Sequence, residues 1–547
     1  MRRLLRLAEN PARAYRRWIR RCEDNRIALV SGPRISVLMP VCDPPPACLA
    51  RAIESVRAQT YRDWELCIAD DASTSSAVRD LLARLRDPRI RVTFCPRRGG
   101  ISSASNAALA LASGEFIALL DHDDELDPHA LAHLAQAVLD EPQANLLYSD
   151  EDKIDLRGRR FDPFFKPDWS PDLLLSENYV CHLLAARRAL VNQAGGFRPE
   201  FDGSQDYDLT LRLSALARRI VHLPRVLYHW RSVPGSAAAG ALNKPDAIAA
   251  AGRALAAHLA PAASVEPGLN PGRWRVRYPI PESARVSIII ASGGSVDVLR
   301  TNLDALAATD YRNYEIVVID NSKSSAIEDF LRDRPVRYLD WRNKPFNYPA
   351  INNHAAAQCD APLLLFLNDD TEALAPGWLT ALVEHACRPE VGAVGAKLIY
   401  PDGRIQHGGV VMGLYGHCGH AFKGLHAARS HYFSLSDVVR NVSAVTGACL
   451  MTRAAVFREA GGFDEAAFPV AFNDIDLCLK IGALGYRILY TPHAQLRHHE
   501  AFSKTAEDLP PSAIELARLR EKWKDVIARD PYYNPNLTTT REDYGIE

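Results

Sequence analysis

Residues 121–124 read Asp-His-Asp-Asp and follow an apolar run, Phe116–Leu120. Carboxylates packed at the end of a strand repel one another and call for a compensating cation. A divalent ion with oxygen ligands, Mg2+ or Mn2+, meets that need and can bridge to substrate phosphates. An isolated Asp-x-Asp would serve equally well as a solvated cap for the next helix, Pro128–Leu139. This one is not isolated, because Asn368-Asp369-Asp370 closes a second apolar run, 363–367. Asp206 and Asp474 each stand in an acidic-polar pair ahead of an apolar helical stretch. They precede His229 and His498 by 23 and 24 residues. An aspartate beside a glycan hydroxyl could act as general base, and a histidine could ligate metal or touch a diphosphate. Taken singly, each aspartate is also a plausible helix cap and each histidine a core residue; the repeated interval is what argues for chemistry.

The elements that must position these residues occur twice. YRDWELCIADDAS (61–73) is echoed by YRNYEIVVIDNSK (311–323), and ISVLMP (35–40) by VSIIIA (286–291). Asn106 followed by LLDHDDE matches Asn353 followed by FLNDDTE; GGF recurs at 195–197 and 461–463, and QDYDL (205–209) returns as NDIDL (473–477). A period of about 250 residues exceeds any solenoid repeat, so each copy is a whole domain. Within a copy, short buried strands (Ile35–Met39, Leu66–Ala69, Arg91–Phe94, Phe116–Leu120) alternate with helical patterns (Cys48–Gln59, Ser75–Leu85, Ser103–Ala112). That alternation predicts an α/β fold with right-handed crossovers and a mainly parallel sheet flanked by helices. Ligands bind such sheets beyond the carboxyl ends of the strands, where Asp70-Asp71 and the 121–124 cluster fall. The expected division is a basic N-terminal segment 1–32, a first domain 33–235, and a helix with a Pro-rich linker 236–283. A second domain 284–508 and a C-terminal helix and tail 509–547 follow.

Composition narrows the function. The chain has 547 residues, 47% of them hydrophobic and 24% charged, which is ordinary folded-protein usage. With 65 Lys+Arg against 66 Asp+Glu, a globally basic nucleic-acid binder is excluded. The longest apolar runs, such as Ala361–Leu367, fall short of the roughly 20 residues of a membrane span, and no apolar stretch of a secretory signal follows the basic N-terminus. Eleven scattered cysteines without a Cys-x-x-Cys pair read as reduced thiols, hence a cytoplasmic setting.

In combination the motifs resemble the family 2 inverting glycosyltransferases of GT-A fold. The likeness is to the tandem two-module bacterial enzymes of surface-polysaccharide assembly, of O-antigen or rhamnan type. The first copy carries it in ISVLMPVCDP (35–44), IADDAS (68–73), GGISSASNAALALASGEFIALLDHDDEL (99–126), YSDEDKID (148–155), QDYDL and YHWR (228–231). The second carries it in VVIDNS (317–322), FNYPAINN (346–353), LLLFLNDDTE (363–372), NVSAVTGACL (441–450), FNDIDLC (472–478) and RHHEAFSK (497–504), and the tail DPYYNPNL (530–537) fits as well.

The resemblance implies a role for each matching position. Asp206 and Asp474 would be the catalytic bases. Pro40, Asp70, Asp71, Asn106 and Asp121 in the first copy would contact the nucleotide-sugar donor, as would Asp320, Asn321, Asn353 and Asn368 in the second. Asp121 and Asp123, and Asp370, would bind the metal, with His229 and His498 closing over the metal-diphosphate. The acceptor would be a lipid-linked glycan, reached from the inner face of the cytoplasmic membrane, with polysaccharide-assembly partners and no nucleic acid. The alternative is a single catalytic module beside a glycan- or nucleotide-binding one. Copy two reads IASGGS (290–295) where the family has a Pro-led polar loop, and Asn368 where an acid is usual.

Three lesser signals complete the reading. Nine arginines among the first 30 residues, interleaved with Leu4, Leu5, Leu7, Tyr15, Trp18 and Ile19, suit either a helix on anionic lipid or a cap packed on the domain. The Gly- and His-rich stretch 407–424 suggests a hinged lid over the second site. The Asp150–Glu151–Asp152 run suits either a turn or, as the resemblance implies, contact with the acceptor.

Overall fold

The computed structural model describes residues 10–28, 31–232, 245–293, 295–499 and 512–547. The first module is a nine-stranded sheet built from β1 (Ile35–Val41), β2 (Trp64–Asp70), β3 (Ile90–Phe94), β4 (Phe116–Leu119), β5 (Glu125–Leu126), β6 (Leu146–Ile154), β7 (Arg160–Phe164), β8 (Leu184–Arg187) and β9 (Ile220–Arg231). Their order is β3-β2-β1-β4-β8-β6-β9-β5, with β7 on the side of β6. β3, β2, β1 and β4 run parallel, and β8 enters antiparallel between β4 and β6. The parallel half is apolar on both faces: Ile35, Val37, Met39 and Val41 fill one core, and Leu38 enters the other. Burial on both sides is the reason these strands read as continuous apolar runs.

The second module repeats the plan as a ten-stranded sheet. Val286–Ser292, Tyr314–Asp320 and Leu363–Asn368 take the places of β1, β2 and β4, and Cys449–Arg453 that of β8. The two mixed sheets flanked by helices are the expected architecture, and strand ends differ from the sequence reading by at most two residues.

Three segments depart from expectation. The Pro-punctuated linker contains an antiparallel hairpin, Ser264–Pro267 with Trp274–Arg277, whose Arg275 and Arg277 grip Glu384 of the second module. Of the helix expected at 237–259, Pro245–Leu259 is observed and 237–244 lie outside the described residues. The stretch 407–424 is no exposed lid. It forms a small antiparallel pair, Val410–Met412 with Cys418–His420, and His407, Leu414, Ala421 and Phe422 are buried. Its glycines serve tight turns, as at Gly413 (φ 92°), where a Cβ would meet the Ile527 carbonyl at 2.7 Å.

The modules are joined by polar contacts that chain order alone does not reveal. Asp172 of the first module accepts from Arg388 Nη1 (2.6 Å) and Asn441 Nδ2 (2.9 Å) of the second, all three buried. The C-terminal tail bridges both: Asn534 Nδ2 donates to Asp150, while Asp530 accepts from the Met412 amide and the Ser443 hydroxyl. At the other terminus, helix Pro11–Arg21 turns Ala14, Tyr15 and Trp18 inward against Phe165, so its apolar face belongs to the first module. Residues 1–9 lie outside the described set. Among the described residues, no helix is long and apolar enough to cross a membrane.

Candidate active sites

The first site is assembled at the carboxyl ends of β1, β2 and β4. Beyond β2, Asp71 continues the strand by one amide bond to the Val41 carbonyl and accepts from the Gly99 and Gly100 amides at 2.7 and 2.9 Å. Gly100 adopts φ 87° there, a backbone that favours glycine, to open helix Ile101–Leu111. Asp70 accepts from the Ser73 amide with one oxygen and leaves the other buried without a partner. A buried, unpaired acceptor at a strand end fits a donor group of a nucleotide base. In the second module Asp320 accepts from the Ser322 amide and the Tyr338 hydroxyl, and Asn321 repeats the amide bond of Asp71, to Ser292.

Beyond β4 the chain turns sharply through Asp121–Asp124. Asp124 is the anchor of this turn, accepting from the Tyr228 hydroxyl and the Arg231 amide at 2.6 Å each. Burial, with Asp121 and Asp123 beside it, pushes the Asp124 carboxyl well above its usual range. The carboxylates of Asp121 and Asp123 make no hydrogen bond to another residue and no ion pair among the described residues. Burial raises Asp123 too, and Asp121 adds to that rise. Unpaired oxygen donors crowded this way fit a divalent cation. Pro40 borders the turn through its carbonyl, 3.1 Å from His122 Nδ1.

Asp206 is the second residue of helix Gln205–Leu216, and Asp474 holds the same place in Asn473–Ala483. Each is a carboxylate at a helix N-terminus, where the dipole favours its charge. Burial nevertheless lifts Asp206 above its ordinary range, opposed by His182 and the Asn178 amide and reinforced by Asp121. Asp121 and Asp206 lie against one loop, 178–182: Asn178 Nδ2 donates to Asp206 at 3.0 Å, and one ligand atom each of His182, Asp121 and Asp124 lie within 4.8 Å of one another. Asp474 is also raised by burial, opposed by the amides of Gly447 (2.8 Å) and Ile475. Asn368 and Asp474 hold the two sides of one turn, the first through its amide to Ala448 O (3.1 Å) and the second on Gly447.

The two histidines chosen from sequence occupy different positions. In module two, His498 Nε2 lies 2.9 Å from Asp370 Oδ1, and its Nδ1 is 2.6 Å from Gln406 Oε1. The Gln406 oxygen accepts from Nδ1, which fixes the ring with Nε2 turned toward the carboxylate. An imidazole nitrogen and a carboxylate oxygen held together in this way, with the other ring nitrogen on an amide oxygen, are a donor set that fits a divalent cation. His498 is paired in register with Thr371, whereas His229 is paired with Glu125, the counterpart of Glu372. His229 is thus one position away from His498 and corresponds to Arg497. Its Nδ1 contacts Asp152 at 2.6 Å, and Asp152 also accepts from the Tyr15 hydroxyl.

Two further expectations meet a different geometry. Asn106 and Asn353 spend their amides on the GGF turns, bonding the backbone N–H and carbonyl of Phe197 and Phe463. The 150–152 carboxylates do not face outward to an acceptor. Asp150 holds His222, Asn534 and the Lys166 amide; Glu151 holds Lys166 Nζ and the His182 amide; Asp152 holds His229 and Arg160.

Sequence reasoning missed His182. One ligand atom each from Asp121, Asp124 and His182 lie within 4.8 Å of one another. The ring stacks on Tyr228 at 4.4 Å, with Trp230 edge-on at 5.6 Å. It has no counterpart in the second copy, so the repeat comparison that exposed the other site residues could not find it.

Comparison with known proteins agrees with this architecture. The Glycosyl transferase family 2 model matches residues 36–192, and the Glycosyltransferase like family 2 model matches 283–523. The chain is 46% identical over 541 residues to the protein y4gI of Sinorhizobium fredii, covering 95% of this chain and 59% of that one. It is 42% identical over 525 residues to the O-antigen biosynthesis protein RfbC of Myxococcus xanthus, covering 94% of this chain and 41% of RfbC. The chain thus spans only about half the length of these relatives. The putative colanic acid biosynthesis glycosyl transferase WcaA of Escherichia coli K12 is 30% identical over 191 residues, 34% of this chain and 67% of WcaA. Two family models in tandem, the first over β1 to β8 with its acidic turn and the second over the whole second sheet, together with the likeness to WcaA, show that the chain belongs to the family 2 glycosyltransferases.

Proposed function

We propose that both modules are metal-dependent inverting transferases that pass sugars from nucleotide-sugar donors to a growing bacterial surface polysaccharide. The observation that carries this reading is that the acidic turn and the helix-borne aspartate of each module meet one short segment: Asp121 and Asp206 at loop 178–182, Asn368 and Asp474 at Gly447-Ala448. RfbC and WcaA, proteins of O-antigen and colanic acid biosynthesis, support the substrate class. Asp70 and Asp71, and Asp320 and Asn321, stand where the base is held, with Pro40 at the rim. Asp121 and Asp123, and Asp370 with His498, hold the cation, and Asn106 and Asn353 brace the GGF turns beneath. A bound Mg2+ or Mn2+ supplies Lewis-acid stabilisation of the departing diphosphate.

Asp206 and Asp474 each take the proton of an acceptor hydroxyl as its oxygen attacks the anomeric carbon from the face opposite the leaving group. A carboxyl raised by burial is a better proton acceptor near neutral pH than an exposed one. The acceptor in this reading is a lipid-linked glycan at the inner face of the cytoplasmic membrane, within reach of assembly partners. Any membrane contact of helix Pro11–Arg21 falls to its exposed Arg13, Arg16 and Arg20, since its apolar face is buried.

Sugar transfer by Asp206→Asn, Asp474→Asn and the double variant tests the proposal. Each single variant loses one of two linkages and the double variant loses both. Full activity in the double variant removes the assignment. A second reading, in which one module only binds, wins if one single variant is silent in transfer while its half still binds nucleoside diphosphate.

A further inference from the structure

The two modules differ most at the imidazole beside the acidic turn. In the second, it is His498, on the last long strand and opposite Thr371. The residue in that register position of the first module is Trp230, which cannot ligate a metal. On the neighbouring side the exchange is reversed. β4 pairs Phe116 with Arg187, and Leu363 pairs with Arg453. Counting back from those partners, His182 of the first module falls on Ala448 of the second. Among the described residues, each turn thus has an imidazole brought to it by the sheet, from a different segment in each module, and the first turn's own His122 has Nδ1 on the Pro40 carbonyl.

We infer that His182, and not His229, is the nitrogen ligand of the cation in the first module. Its ring is placed for this from three sides. Tyr228 stacks beneath it, and Trp230 closes one edge. The buried Lys166 gathers the loop by donating to the carbonyls of Val180 and His182 and to Glu151, which in turn accepts from the His182 amide. With the backbone clamped, neither ring nitrogen of His182 hydrogen-bonds to another described residue, while a ring nitrogen and oxygens of Asp121 and Asp124 cluster within 4.8 Å. Both oxygens of Asp124 already accept hydrogen bonds, so Asp121, with Asp123 next along the turn, supplies the oxygen donors. His229 is committed elsewhere, with Nδ1 on Asp152 in a network that includes Tyr15 and Arg160. A mixed oxygen and imidazole set favours Mn2+ over Ca2+.

This inference rests on the metal-dependent reading above, and the test separates the two. The full chain carrying Asp370→Ala, which removes the second cation site, is titrated with Mn2+ alone and examined by electron spin echo modulation from 14N. The parent is expected to bind one Mn2+ with imidazole 14N modulation. His182→Ala and His182→Gln should both abolish that modulation and weaken Mn2+ about 100-fold, the upper end of what losing even an outer-shell partner costs. His229→Ala should retain it. Persistence of the modulation in both His182 variants, or its loss in His229→Ala alone, overturns the inference while leaving metal dependence intact. Failure of the parent to bind Mn2+ overturns both. Agreement between the Ala and Gln variants, together with an unchanged unfolding midpoint, distinguishes ligand loss from misfolding.

Discussion

The first and second modules share a sheet order and a base at a helix N-terminus, yet they surround that base differently. Asp206 has an imidazole and an amide side chain beside it, His182 and Asn178; Asp474 is held by the backbone amides of Gly447 and Ile475. The acid of the first turn, Asp121, becomes Asn368 in the second, and the imidazole beside the turn comes from His182 in the first module and His498 in the second. A duplicated scaffold thus keeps the backbone geometry of an acidic turn and a helix-borne aspartate while the side chains around them differ.

The comparison can be broken most sharply at the bases. Removing a positioned general base costs about 10²–10⁴-fold in rate. Asp206→Asn should therefore eliminate one linkage and Asp474→Asn the other, read by mass spectrometry of the products; loss of both linkages from either single change would mean one composite site.

Next in size is the joint between modules. Asp172 is buried between Arg388 and Arg487. Truncating one partner of a buried pair costs about 3–5 kcal/mol, so Asp172→Ala should lower the denaturant midpoint and, if the modules then melt separately, split one transition into two.

The same group predicts a pH dependence. Burial alone would raise the Asp172 carboxyl, but Arg388 and Arg487 outweigh it and hold the group below its usual value of 3.8. Because the folded value is depressed, the unfolded chain takes up the proton first. The stabilisation is complete above about pH 4 and is lost as the pH falls through the folded value. Unfolding measured from pH 6 to 3 should show this decline in the parent, and Asp172→Asn should flatten it.

The smallest effect concerns the outer partners of the histidines. Tyr15→Phe removes a hydrogen bond to a buried carboxylate, about 1.5–3 kcal/mol for a charged acceptor. The expected result is a modest loss of stability with second-module transfer unchanged, measured by parallel assay of the two linkages.

How much of this was legible beforehand follows from what repeats. Strands with both faces buried announce themselves as apolar runs, and an acidic turn at the end of each could be placed without coordinates. Comparing the copies then exposed Asp206 and Asp474. The same comparison misled at the histidines, because intervals of 23 and 24 residues look equivalent while a shift of one residue in a strand sends a side chain to the other face. His182 was invisible because it belongs to one copy only. The carboxylates at 150–152 read as acceptor-facing by resemblance because a run of charges gives no sign of its partners; only tertiary packing supplied Lys166, His222, Asn534 and Arg160 to them.

By itself, then, the amino-acid sequence determined the duplicated α/β plan, the strand-end acids and the helix-borne aspartates, since local periodicity and like-charge repulsion act over a few residues. Tertiary structure alone decided which imidazole meets the acids, which termini brace the first site and how the modules lock together. Those outcomes depend on strand register and on contacts between residues hundreds of positions apart, about which local pattern carries no information.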